Sequence, residues 1–76
     1  MRKDSADIKG RCVEELHRVF PSHINLANRV GSNTNHVLLW WDGEQVPSPA
    51  YLHVLDQLGV DIYYVITGKR TVKSNV

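Results

Sequence analysis

Ser22 to Gly43 reads SHINLANRVGSNTNHVLLWWDG, and its spacing decides the fold. Ser22 can accept hydrogen bonds from the first free amides of a helix, and Leu26, Ala27 and Val30 then fall on one apolar face. Gly31 ends that helix, because a residue without Cβ enters the left-handed region at little cost. A second helix restarts with Ser32 or Asn33 as its cap, takes Val37, Trp40 and Trp41 as its apolar face, and closes at Asp42-Gly43. A small residue at Ala27, a turn glycine four positions on and a buried aliphatic six beyond that are what a helix-turn-helix requires, and such a pair can push one helix end into a DNA major groove. An ordinary αα-hairpin meets the same spacing.

Outward from this stretch, Asp4 or Ser5 caps a first helix that runs to Phe20, with Ile8, Cys12, Leu16, Val19 and Phe20 on one stripe. Lys9, Arg11, Glu14, Glu15 and Arg18 lie mostly off it, and Pro21 stops it. Ser48-Pro49 starts a fourth helix, about Pro49 to Leu58, that buries Leu52, Leu55 and Leu58 and partly covers Tyr51 and Val54. Gly59 ends it. Asp61 caps a last short helix, Ile62 to Thr67, closed by Gly68. Met1 to Lys3 reads as a mobile basic arm and residues 71–76 as a disordered tail after a domain spanning 1–70.

The chain has 76 residues, room for one domain, and 42% of them are hydrophobic, normal for a soluble protein. Its single cysteine, Cys12, cannot form an internal disulfide and sits on an apolar stripe, as a buried structural thiol would. Neither a membrane-length apolar run nor a signal-peptide core is present, so a cytoplasmic location is expected. The four histidines fall on separate helices, the carboxylates do not pair in an evident cleft and no phosphate-cradling glycine loop exists. Enzymatic activity, a metal centre and a cofactor are therefore not expected.

Net charge is only +1, and all nine Lys and Arg lie outside the segment from Val30 to Gly68, which carries Asp42, Glu44, Asp56 and Asp61. Attraction to phosphate would come from the chain ends, with Arg2 and Lys3, from the first helices and from helix N-terminal amides. His23 can donate to a phosphate from a helix start, Arg29 can reach the backbone from that helix's far end, and Asn25 reads as solvated. Asn33 to His36 supply donors and acceptors with no apolar group larger than a methyl. Asn pairs with adenine, Thr touches a thymine methyl and His donates to guanine, although Asn33 is also ordinary capping chemistry. The run Val37 to Trp41 is apolar all round, so part of it must meet a partner surface, a methyl-rich groove or another helix.

These residues resemble the N-terminal DNA-binding domain of temperate-phage repressors of the lambda-repressor-like, Xre/Cro type. The resemblance spans about Asp7 to Arg70. It is carried by LANRVG with Val37 and the Trp-Asp-Gly exit, and by the close LDQLGVDIYYVITGKR. It implies an all-α fold, a compact bundle of about five short helices around a central helix-turn-helix, and a transcriptional regulator, a repressor, binding a two-fold symmetric double-stranded operator as a homodimer. Groove-reading positions fall at Thr34, Asn35 and His36, with Leu38 and Leu39 one turn on, and phosphate contacts at His23, Asn33, the second helix's amide end and near Asp42-Gly43. Tyr63, Tyr64 and Ile66 are the expected dimer surface. A second reading keeps the fold but makes it an interaction module, docking a phage antirepressor or host transcription protein through Leu38, Leu39, Trp40 or Trp41. A third takes the 76 residues as the head of a larger repressor, cut at its linker.

Overall fold

The computed structural model describes residues 4–70, with side chains from residue 8. Arg2, Lys3 and the tail 71–76 lie outside the described residues, as do the side chains of Asp4 and Ser5 expected to cap the first helix. Five helices follow in order: α1 (Asp4–Val19), α2 (His23–Val30), α3 (Thr34–Trp41), α4 (Pro49–Gln57) and α5 (Ile62–Thr67). Among the described residues there is no strand, and no helix is long and apolar enough to cross a membrane. The radius of gyration is 12.3 Å, near the roughly 11 Å of a folded chain this long.

Local chemistry sets most boundaries. Ser22 Oγ accepts from the Asn25 amide at 3.1 Å, and Asp61 Oδ1 from the Tyr64 amide at 3.0 Å, so α2 and α5 begin where a side-chain oxygen meets a free N–H. Gly31 ends α2 at φ 75°, and its amide and that of Ser32 both bond the Ala27 carbonyl. Helix α4 stops at Gln57, one residue short of the expected Leu58, which takes the cap position.

Each helix contributes to a single core of Cys12, Leu16, Phe20, Leu26, Ala27, Val37, Trp40, Leu55, Val60 and Val65. Helix α1 lies against both α3 and α5, and α2 bridges α3 and α4. The first-helix stripe holds as expected with one correction. Glu15, placed mostly off it, is fully buried, because it follows Cys12 by three residues and so shares that residue's face.

A carboxylate at that depth needs partners, and it has three. Arg18 grips it through both Nε and Nη2 (3.0 and 2.7 Å), Arg70 Nη1 donates at 2.8 Å and the Asp61 amide at 3.0 Å. Burial pushes this carboxyl's pKa up, but the donors outweigh it and hold it down at about 2. Burial, with the Glu15 charge adding to it, pushes the Cys12 thiol up to about 11, so it is protonated and inert at neutral pH.

Candidate nucleic-acid interface

Asn33 resolves the choice between two caps for α3. Its backbone is extended (φ −82°, ψ 159°) and its Oδ1 accepts from the His36 amide at 2.8 Å. That side-chain oxygen is thus occupied by the helix it starts. Thr34 and Asn35, next along the first turn, are exposed and point no side-chain hydrogen bond at any described residue. Behind them Val37 and Trp40 are buried, anchoring one side of α3 while its opening turn stays at the surface.

His36, grouped with these readers in the sequence, is held differently. It is half-buried, with Nδ1 3.1 Å from Ser32 Oγ and its ring edge-on to Trp40 (5.1 Å) and Tyr51 (5.4 Å). Tyr51 also leans on Trp40 at 4.9 Å, so α4 contributes one wall of a small aromatic cluster that fixes the imidazole. Leu38 and Leu39 are half-buried. Leu39 packs on the core and its carbonyl takes the amides of Glu44 and Gln45 at 2.8 and 3.1 Å, folding the chain back after α3.

The far end of α3 meets the first two helices. Trp41 stacks on His17 with ring centroids 3.8 Å apart, and His17 Nε2 lies 3.2 Å from the Trp41 carbonyl. His23, a sequence candidate for phosphate, is 6.3 Å from the same indole. His23 therefore sits at the end of α3 opposite Thr34 and Asn35. Asp42 is exposed beyond it, and Gly43 turns at φ 82° with Val13 Cγ2 only 3.1 Å from where a Cβ would stand. Arg29 is exposed, its guanidinium 5.8 Å from the centroid of the Phe20 ring. Asn25 is half-buried rather than solvated, and its Oδ1 is enclosed without a hydrogen-bond partner among the described residues.

The run Val37 to Trp41 is better covered than its composition suggests. Trp40 is 1% exposed against the core, Trp41 is roofed by His17, and none of the five is fully exposed. As packed, Trp40 offers no docking surface. The large apolar side chains that do face outward are Ile24 (54%), Tyr63 (52%) and Ile66 (51%). Two of these three belong to the expected dimer surface. Ile24 carries no sequence signal, being an apolar residue beside, not on, the α2 stripe. Tyr64 departs from its neighbours: its hydroxyl donates to Glu14 at 2.5 Å and the Arg70 guanidinium lies 3.7 Å above its ring.

Three of the described arginines are engaged within the chain. Arg11 donates to the carbonyls of Tyr64, Val65 and Ile66, while Arg18 and Arg70 serve Glu15 and, through Arg70, Glu14. Among the described residues, Lys9, Arg29 and Lys69 form no ion pair. Compared with known proteins, the chain matches no family model, no curated protein and no solved structure.

Proposed function

We propose that this chain is a sequence-specific DNA-binding transcriptional regulator, a repressor of phage or prophage type. On this reading α2 and α3 act as a helix-turn-helix of the lambda-repressor-like kind, working in the cytoplasm where its operator is. The observation that carries the reading is the start of α3, where Thr34 and Asn35 stand exposed and uncommitted on a helix whose other side is locked by Val37 and Trp40. A rigid helix with a polar, uncharged leading turn suits insertion into a major groove, where Asn pairs with adenine and Thr meets a thymine methyl. His36 then acts mainly by orienting that turn through Ser32, and Leu38 supplies apolar contact one turn on.

Phosphates are contacted by His23 and the capped amide end of α2, by Arg29, and by Arg2 and Lys3 ahead of α1. One head spans only a few base pairs, so two heads pair through Tyr63 and Ile66 on half-sites about one helical turn apart.

The test is selection from a random duplex library by the purified protein at near-physiological salt. The expected result is a two-fold symmetric motif, with Asn35→Ala losing about 1–3 kcal/mol and relaxing preference at one base pair. Folded protein that retains no motif overturns the reading. That outcome would favour an interaction module on the same fold, docking an antirepressor or host transcription protein through Leu38 and Trp41. The engagement of Arg11, Arg18 and Arg70 within the chain, and the absence of Lys and Arg from Val30 to Gly68, supports this second reading. DNA binding with a weak salt dependence would point to it as well, since neutralised phosphates must release counterions.

A further inference from the structure

Helix α5 has six residues, too few to hold a helix on their own in water. Its apolar hold on the core comes from Val60 ahead of it, Val65 within it and the partly buried Ile62, while Tyr63 and Ile66 face outward. Its polar hold is dense and comes almost wholly from α1. Arg11 Nε donates to the Tyr64 and Val65 carbonyls at 3.0 Å each, and Nη2 to Ile66 at 3.3 Å, closing the end of α5. Glu15 accepts from the Asp61 amide at its start, and Arg18 Nη2 donates to the Gly59 carbonyl at 3.1 Å. After Gly68 the chain turns back so that Arg70 reaches Glu15, Glu14 and the face of the Tyr64 ring. Left-handed glycines bound the segment on both sides, Gly59 at φ 105° and Gly68 at φ 81°.

We infer that α5 is a releasable element, latched to α1 by the Arg11, Glu15 and Arg70 charge cluster, and that it opens between Gly59 and Gly68 while α1 to α4 stay folded. Elements with few buried apolar contacts and many part-exposed polar ones occupy the low end of local stability. A latch made of charges responds to ionic strength and to charged partners in a way that an apolar seam does not. Resting on the reading that Tyr63 and Ile66 pair two heads, closure of the latch sets the angle at which that face is offered, so release and pairing oppose each other.

Hydrogen exchange followed amide by amide on the intact chain tests the latch. The Val65 and Gly68 amides, bonded to Asp61 and Tyr64 carbonyls, report on α5; the Gly31, Val37 and Asp42 amides report on α2 and α3. Arg70→Gln should speed exchange at the first pair by about tenfold and leave the second unchanged, the size set by losing hydrogen bonds to a buried carboxylate from a half-exposed arginine. Raising salt from about 0.05 to about 0.5 M should act in the same direction on the same amides but less than Arg70→Gln does, because salt reaches the half-exposed Arg70 and not the buried Glu15 carboxylate. Arg70→Lys should recover part of the protection. The latch is overturned if both sets of amides speed up together, or if the α5 amides do not respond to Arg70→Gln. Sedimentation of the same samples decides pairing separately: a protein monomeric at every concentration ends the pairing reading, while the exchange pattern still decides the latch.

Discussion

The α1–α5 side and the α2–α3 side of this molecule are held by different physics. On the first, a buried carboxylate gathers two arginines and a backbone amide, and a third arginine closes a helix end. On the second, caps, a glycine turn and buried Val37 and Trp40 suffice, and α3 carries no lysine or arginine at all. The difference teaches where each half can carry a function. Cations satisfied within the fold are poorly placed to meet phosphate, whereas a half held by apolar contacts and caps leaves its polar leading turn free.

The comparison breaks most forcefully at Trp40. It is 1% exposed and is flanked by His36 and Tyr51, so Trp40→Ala removes the largest buried side chain and the wall against which the aromatic cluster stands. A loss of about 3–5 kcal/mol in denaturant unfolding is expected. An effect below about 1 kcal/mol would mean that α3 is not anchored as described.

Acid probes the other side. The Glu15 carboxyl is held down from 4.5 to about 2 in the fold, so it binds a proton more readily when unfolded. Its contribution, up to about 3 kcal/mol, is complete above about pH 4.5 and is lost as pH falls through about 2. Unfolding free energy measured from pH 6 down to pH 2 should drop in that window, and Glu15→Gln should start lower and flatten the drop. An unchanged slope in Glu15→Gln would assign the acid response to other carboxylates.

The same division decided what could be read in the sequence. Gly31, Asn33, Asp61 and Gly68 act on residues three or four positions away, so the turn, two caps and the ends of α2 and α5 follow from local chemistry. Val37 and Ala27 follow from helical period. Glu15 did not, because a Glu15–Arg18 pair three residues apart fits a solvated face equally well, and the other donors that make burial tolerable, the Asp61 amide and Arg70, stand 46 and 55 residues later. His36 was grouped with Thr34 and Asn35 on chemistry alone. Its packing depends on Tyr51, which reaches it only once α4 has folded back. Trp41 belongs to the apolar face expected of α3, but composition leaves open whether a partner, a groove or another helix covers it, and the cover is His17 of α1.

The finest test compares two residues that look alike in sequence as helix starts. Asn33 and Ser48 both precede a helix with extended backbone, but only Asn33 accepts a side-chain hydrogen bond, from the His36 amide. The α4 start relies on Pro49, whose ring presets the helical backbone and which has no amide to satisfy. Asn33→Ala should therefore lower stability by about 1 kcal/mol, and Ser48→Ala by no more than about 0.5 kcal/mol, in thermal unfolding of otherwise identical proteins. Equal losses would mean that the cap at α3 does nothing that the proline at α4 does not do. A loss at Asn33 alone fixes the first turn of α3 as a locally specified platform, which is the property that would let Thr34 and Asn35 be substituted one at a time without moving the helix that carries them.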